Sequence, residues 1–228
     1  DPASDWPTVL TALNARLVIQ GPGGVSRTAA PEDFFLGPLT TNLAGNELLT
    51  AVEVPSFAAN QRSEYAKIAH PASGYAVVGG AVVVTMDGER CTAASIAVGG
   101  LVPAPVRASS VERALIGQTL NVENIMAASN QVVNDLGSNI IGDFYASATY
   151  RRAMAAVEIR HALFHITGEA HVGSRAVSVI HGVQYVPVDR EAISVFDPGS
   201  IADPVSSTES VNTENQPRKK WWEFWRRS

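Results

Sequence analysis

The apolar positions of the chain follow a helical period at first and the period of extended strands soon afterwards. Val9, Leu10 and Leu13 share one helix face and predict a helix over residues 7–15. Beyond it, short apolar runs alternate with Gly- and Pro-containing stretches, which predict strands and turns. The elements predicted up to residue 60 are a strand at 16–20, a hairpin loop at Gly21-Pro22-Gly23-Gly24, a helical turn at 30–35 and a strand at 48–54. This segment is typical of the last part of an α/β unit.

A second pattern begins near residue 61, and in it strands come first. The predicted strands are residues 65–69, 75–86 and 91–99. Asp87-Gly88 is a strong hairpin signal and joins the last two of them. Gly79-Gly80 interrupts the middle strand, and we expect another part of the chain to approach its backbone there.

Three helices complete this second region. They are predicted at residues 108–116, 122–136 and 148–167. The stripe that the pattern places on one face of the last helix consists of Tyr150, Met154, Val157 and His161. An antiparallel sheet followed by consecutive helices predicts the α+β class, with a three-stranded sheet packed against a helical bundle.

The composition changes after residue 167. The region at residues 168–217 has low complexity and contains a candidate hairpin about His181-Gly182. An excess of Ser, Thr, Asn, Asp and Pro then predicts a flexible linker over residues 196–216. Residues 218–228 then interleave basic side chains with three of the four tryptophans. Such a tail is typical of a segment that binds a membrane surface or a partner protein. We therefore predict four regions, at residues 1–60, 61–167, 168–217 and 218–228.

The net charge and the cysteine content indicate which partners and which cellular compartment to expect. A net charge of -5 gives no basic excess, which argues against a nucleic-acid partner. The single cysteine, Cys91, cannot form an internal disulfide, so a reducing, cytoplasmic compartment is expected. Its position in a strand predicts a small buried apolar residue. No apolar run approaches the roughly 20 residues that a membrane-spanning helix needs.

Other candidate chemistry is weak. His161 and His165 have the i, i+4 spacing that can hold a metal, but no third ligand is evident, and a role on the helix surface or in an interface is favoured. No serine lies in a nucleophile-elbow context. We therefore predict no metal site and no catalytic side chain within this chain.

Several stretches, collinear along the chain, point to one family. They are residues 1–7 (DPASDWP), 34–41 (FFLGPLTT), 47–55 (ELLTAVEVP), 65–79 (YAKIAHPASGYAVVG), 96–107 (IAVGGLVPAPVR) and 147–152 (SATYRR). Together they resemble the medium, FAD-binding subunit of molybdenum hydroxylases of the aerobic carbon monoxide dehydrogenase and xanthine dehydrogenase type. On this resemblance, residues 1–60 are the C-terminal remnant of the FAD-binding subdomain, and residues 61–167 are the C-terminal flavoprotein domain.

The resemblance implies an oxidoreductase subunit that carries FAD within a heterotrimer. In such enzymes a large subunit with a molybdenum cofactor oxidises the substrate, and a small subunit carries [2Fe-2S] clusters. Electrons pass from the clusters to the FAD of the medium subunit and leave to an external acceptor such as a quinone, NAD or oxygen. The implied location is cytoplasmic, with the tail adding a peripheral position at the inner face of the cell membrane.

The resemblance also implies four cofactor-binding residues, each with an alternative. Asp5 matches an aspartate that contacts FAD, although it is also placed to be the N-cap of the first helix. Leu49 matches a residue lining the cofactor site, or is a core leucine. Lys67 matches a lysine near FAD, or is a solvated lysine of a strand. Tyr75 is placed to reach the flavin, or packs within its strand.

The family's two glycine-rich phosphate loops have no counterpart in the sequence. By the resemblance both would precede Asp1, so we expect that preceding polypeptide is needed to hold FAD tightly. Gly21-Pro22-Gly23-Gly24 is no substitute, because it fits a hairpin loop, and Gly99-Gly100 fits a bend. The alternative function is a non-catalytic docking module that recruits the complex to a partner or membrane through its tail.

Overall fold

The structure is a computed structural model that describes residues 1–168. The elements of its first part are α1 (Asp5–Ala12), β1 (Arg16–Gln20), a 3-10 turn (Pro22–Gly24), β2 (Ser26–Ala29), α2 (Pro31–Phe34), β3 (Phe35–Gly37), β4 (Thr40–Thr41) and β5 (Leu48–Glu53). Those of its second part are β6 (Gln61–Ala69), β7 (Ala76–Asp87), β8 (Arg90–Gly99), β9 (Val106–Arg107), α3 (Ser109–Leu115), α4 (Val122–Ser129), a 3-10 turn (Asn130–Asn134) and α5 (Ala148–Thr167). The predicted linker and tail lie outside the described residues.

The first part contains a three-stranded antiparallel sheet in the order β2-β1-β5. Its small core is formed by Leu17 and Ile19 of β1 with Ala29 and Phe34. β1 and β2 form the predicted hairpin, whose loop is closed by a 2.8 Å hydrogen bond from the Gly21 N–H to the Val25 carbonyl. The edge strand β5 is exposed at all six positions.

The second part contains the larger sheet, in the order β6-β7-β8-β9. Its three long antiparallel strands confirm the predicted sheet, and the two-residue β9 adds a short fourth strand at the β8 edge. Asp87 pairs with Arg90 across the tight β7–β8 turn, where the sequence predicts a hairpin. The α+β class is therefore confirmed.

Each face of this sheet is covered by different helices. On one face Ala81 and Ala97 pack against Ala12 of α1. On the other, valines of β7 and β8 join the buried residues of α3, α4 and α5 in the main core. Cys91 belongs to that core, as predicted, and burial raises the pKa of its thiol. The first helix therefore crosses over and packs on the second sheet.

Close approach at Gly79 and Gly80 is confirmed on both faces of β7. A Cβ atom at Gly80 would lie 3.1 Å from the Ile159 nitrogen, so the α5 backbone rests directly on the strand. A Cβ atom at Gly79 would lie 2.4 Å from the Tyr65 hydroxyl on the α1 side. Both glycines are therefore explained by the space that their neighbours occupy.

The stripe that the sequence pattern assigns to α5 is not the most buried face of this helix. Tyr150 is 45% exposed, whereas the charged Arg151 and Glu158 are buried with Ile159 and three of the helix's alanines. The face that turns inward is rich in alanine, which lets the helix approach Gly80 closely. Arg151 is tolerated there because backbone carbonyls accept its hydrogen bonds.

The predicted helix at 122–136 is divided into two pieces. The α-helix ends at Ser129 and continues as the 3-10 turn Asn130–Asn134. The Ser129 hydroxyl donates a 2.6 Å hydrogen bond to the Ile125 carbonyl, a local bond that competes with the helical ladder. None of the helices within residues 1–168 has both the length and the apolar character that crossing a bilayer requires.

Candidate cofactor site

Asp5 and Lys67 form an ion pair where α1 meets β6. The Lys67 Nζ lies 2.6 Å from Asp5 Oδ2, and the Tyr65 hydroxyl donates to Asp5 Oδ1 at 2.8 Å. Both carboxylate oxygens are thus engaged by the second sheet. The N-cap alternative for Asp5 is wrong, because Ser4 occupies the N-cap position and the Asp5 side chain binds β6 instead.

Lys67 has a second partner in the loop before β7. Its ammonium group also donates a 3.0 Å hydrogen bond to the carbonyl of Gly74. The Lys67 side chain is only 28% exposed and that of Asp5 is 41% exposed, so the alternative of a solvated strand lysine does not describe it. An ammonium group has three donors, and the described residues take two of them. One N–H of Lys67 therefore remains for a bound acceptor.

Tyr65 is the site residue that sequence reasoning missed. It lies two positions before Lys67 on β6 and therefore faces the same side of the sheet. Burial raises the pKa of the Tyr65 phenol, and the hydrogen bond to the Asp5 carboxylate raises it further. The phenol consequently stays protonated and donates a hydrogen bond to the Asp5 carboxylate. The i, i+2 spacing of Tyr65 and Lys67 was the signal in the sequence.

Of the two other predicted site residues, the structure brings only Tyr75 next to this cluster. Tyr75 directly follows Gly74 and precedes β7, and it is 52% exposed, so packing within a strand does not account for it. Leu49 belongs to the other sheet, where it pairs with Ile19 and is 40% exposed. No hydrogen bond or ion pair among residues 1–168 links Leu49 to Asp5 or Lys67.

Several contacts fix the start of α1 against the second sheet. The Ala76 N–H donates to the Ala3 carbonyl and the Gly100 N–H donates to the Pro2 carbonyl, both at 2.9 Å. Thr8 is buried against Gly99, where a Cβ atom would lie 1.9 Å from its Oγ1. Asp5 lies between these anchors, so its position relative to β6 is set before any ligand binds.

Arg151 stabilises the same end of the sheet from the opposite side. Its Nη1 donates to the carbonyls of Val77 and Gly100, both at 2.9 Å. Its Nη2 forms an ion pair with Asp143 in the loop before α5. The pKa of Asp143 is lowered by the hydrogen bond from the Ala146 N–H and by the charge of Arg151. The strand ends near the site are therefore held in place by a buried cation.

The donor and acceptor groups of this end suit a dinucleotide such as FAD. The Asp5 carboxylate can accept hydrogen bonds from ribose, ribityl or adenine donors, and Lys67 can donate to a phosphate or a ring carbonyl. The half-exposed Tyr75, which directly follows the Gly74 carbonyl bound by Lys67, offers an aromatic surface. A cavity of about 510 Å³ lies along α1, β6 and β7, and Tyr65 lines it, but neither Asp5 nor Lys67 does.

The histidines of α5 lie away from these groups. His161 Nδ1 is 3.3 Å from a carboxylate oxygen of the buried Glu158, and His165 Nδ1 is 3.7 Å from Glu64. Within residues 1–168, no group of three His, Cys, Asp or Glu side chains is arranged to hold a metal ion.

Two family models match the chain in succession. Residues 1–57 match the FAD binding domain in molybdopterin dehydrogenase, and residues 63–165 match the CO dehydrogenase flavoprotein C-terminal domain. Asp5 lies in the first matched range and Lys67 in the second. The ion pair therefore connects the two matched ranges.

Relatives and solved structures agree with these matches. The chain is 36% identical to the glyceraldehyde dehydrogenase medium chain of Sulfolobus acidocaldarius over 69% of its own length and 54% of that protein. It is 34% identical to the nicotine 6-hydroxylase medium subunit of Paenarthrobacter nicotinovorans over 72% of its length and 56% of that protein. The structure of carbon monoxide dehydrogenase from Hydrogenophaga pseudoflava superposes with a TM-score of 0.68 at 31% identity, covering 75% of this chain and 58% of that one.

The chain spans about half the length of the curated relatives it matches. Within that span, the order of the two matched ranges, the relatives and the superposition all point the same way. The chain belongs to the family of medium, FAD-binding subunits of molybdenum hydroxylases.

Proposed function

We propose that this chain forms part of the FAD-holding subunit of a molybdenum hydroxylase and passes electrons from [2Fe-2S] clusters to an external acceptor such as a quinone. Its partners are then a large subunit with a molybdenum cofactor and a small iron–sulfur subunit, in a cytoplasmic complex. The proposal is supported above all by the Asp5–Lys67 ion pair, which places an acceptor and a donor together at one end of the second sheet.

The proposed cofactor residues are Asp5, Leu49, Lys67 and Tyr75. Asp5 and Lys67 hold polar groups of the dinucleotide, because each keeps hydrogen-bonding capacity after pairing with the other. Tyr75 offers its half-exposed ring to the flavin, and Leu49 offers an apolar surface on the other sheet. When bound, FAD supplies the exchange between single-electron and two-electron transfer, and the protein binds and orients it.

The Asp5–Lys67 pair and its neighbours provide polar and aromatic groups for FAD, but no loop that would bind its phosphates is found within residues 1–168. Phosphates of a dinucleotide are normally held by clusters of backbone N–H groups in glycine-rich loops. The glycine pairs within residues 1–168 have other tasks: Gly23 and Gly24 turn a hairpin, and Gly99 accommodates Thr8. We therefore propose that the phosphate-binding loops lie outside residues 1–168, and that FAD lies between those loops and the Asp5–Lys67 pair.

The substrate is a property of the proposed large subunit. The relatives are named for glyceraldehyde, nicotine and carbon monoxide, which share little chemistry. A common flavin-holding subunit is consistent with this variety, since it handles only electrons. The tail at 218–228, which lies outside the described residues, is proposed to hold the complex at the inner face of the membrane.

The test is the flavin content of the whole complex. We expect FAD in equal amount to this chain when the full-length subunit is purified with its two partner subunits, measured by fluorescence after denaturation. Reduction by substrate should bleach the visible flavin absorption, and addition of a quinone should restore it. A complex that assembles fully but contains no flavin would support the alternative, a non-catalytic docking module.

A further inference from the structure

The position of Tyr65 requires that the residue beneath it on the neighbouring strand has no side chain. Its hydroxyl lies over Gly79 of β7, where any other side chain would begin 2.4 Å from the oxygen. From there it donates to Asp5 Oδ1 at 2.8 Å, across 60 residues of sequence. Gly79 therefore leaves the space in which the Tyr65 hydroxyl can donate a hydrogen bond to Asp5 at the start of α1.

The two donors on β6 hold the Asp5 carboxylate from two directions. Tyr65 binds Oδ1 and Lys67 binds Oδ2, so rotation of the carboxylate breaks at least one of these hydrogen bonds. Each carboxylate oxygen has two acceptor positions, and each retains one for a further donor. The remaining lone pairs therefore point in fixed directions.

We propose that Tyr65 is a positioning residue of the FAD site, which acts by fixing the Asp5 carboxylate in the orientation that receives the dinucleotide. This inference rests on the proposed function. Tyr65 is assigned no contact with FAD itself, because its hydroxyl is committed to Asp5 and its ring is packed over Gly79. Pre-orientation of this kind strengthens binding by removing the cost of ordering the carboxylate when the ligand arrives.

The test is a double-mutant cycle on the FAD affinity of the complete complex. Tyr65→Phe removes only the hydroxyl, and we expect FAD to bind about tenfold more weakly, the effect of losing one charge-assisted hydrogen bond. In a complex that carries Asp5→Ala, which removes the acceptor of the Tyr65 hydrogen bond, the same change should have almost no further effect. The visible circular dichroism of bound FAD should also change in Tyr65→Phe. Tyr150→Phe is the matched control, because Tyr150 lies on the exposed side of α5.

Each outcome decides the proposal. An FAD affinity of Tyr65→Phe equal to that of Tyr150→Phe overturns it. An equal loss in the wild-type and Asp5→Ala backgrounds also overturns it, since a general structural defect would act without Asp5. A wild-type complex that binds no FAD contradicts the proposed function itself, which distinguishes the two failures.

Discussion

The hydroxyl of Tyr65 occupies the space that a Cβ atom at Gly79 would need, so it leaves no room for a side chain at position 79. The two residues belong to adjacent antiparallel strands, β6 and β7. Their fit links the packing of the sheet to the geometry of the Asp5 carboxylate on the same side. Changes at either position should therefore affect both stability and the proposed site.

Gly79→Ala should destabilise the fold by about 1–3 kcal/mol, the usual effect of forcing an extra group into a packed site. The measurement is the free energy of unfolding in urea. Gly45→Ala is the matched control, because a Cβ atom at Gly45 would meet nothing within 4 Å. The cost should fall when Tyr65→Leu has already removed the aromatic ring. If Gly79→Ala were equally destabilising in the Tyr65→Leu variant, the clash with the Tyr65 ring would not be its cause.

Lys67→Met should weaken FAD binding by about tenfold or more, because it removes both the charge beside Asp5 and the donor proposed for the ligand. Equilibrium titration of the flavin-free complex with FAD measures the effect. Arg62→Met removes the same charge from the same strand, where Arg62 donates to the carbonyls of Ala59 and Gln61 instead. Equal affinities for the two variants would argue against a cofactor role for Lys67.

Arg151→Met should cost about 2–4 kcal/mol of folding free energy. The change leaves the buried carbonyls of Val77 and Gly100 without their donor, and each such loss costs about 1–3 kcal/mol. Arg152→Met, one position away and partly exposed, should change stability by less than about 1 kcal/mol. Chemical unfolding of both variants makes the comparison, and similar values would show that the buried hydrogen bonds contribute little.

Stability in acid should depend on Glu47. Hydrogen bonds from Arg27 and from the Ala44 N–H lower the pKa of its carboxyl from 4.5 to about 2. Because the folded pKa lies below the unfolded one, its contribution is present in full above pH 4.5 and is lost as the pH falls towards 2. Glu47→Gln should flatten the stability–pH profile across this window, more than Glu53→Gln does at the exposed pair with Arg16. If the stability–pH profiles of Glu47→Gln and Glu53→Gln ran parallel, Glu47 would not be the source of this acid dependence.

Deletion of residues 218–228 should reduce co-sedimentation of the complex with anionic vesicles. The segment carries Lys and Arg beside Trp and Phe, a composition that binds lipid headgroups and apolar chains together. The FAD content should stay the same, because the proposed cofactor residues lie far earlier in the sequence. Unchanged co-sedimentation after the deletion rejects the membrane role of the tail.

Elements with strong local signals were predicted well from the sequence. β1 and α5 have the predicted bounds, and α5 begins where the Ser147 hydroxyl accepts the Tyr150 N–H and ends at a left-handed Gly168. The buried face of α5 was not evident from the sequence, because hydropathy places Arg151 and Glu158 in solvent. Burial of Arg151 depends on carbonyls of distant strands, which no periodicity reveals.

For the candidate site, too, the sequence suggested some of the residues but not the contacts between them. Asp5 and Lys67 lie 62 residues apart, and only the family resemblance suggested a shared role for them. Their direct ion pair, and the part of Tyr65 in it, depend on α1 packing across the second sheet. Leu49 was grouped with them by resemblance alone, and its place in the site stays a prediction.

The uncovered edge of β5 has a practical consequence for handling this protein. Within residues 1–168 the strand pairs only with β1, so its other side presents unpaired backbone groups beside the exposed Leu48 and Val52. Such an edge is a template for pairing with another chain. Preparations of this polypeptide without its neighbours should therefore aggregate through strand addition. Charged substitutions on β5, such as Val52→Lys, should keep the polypeptide monodisperse.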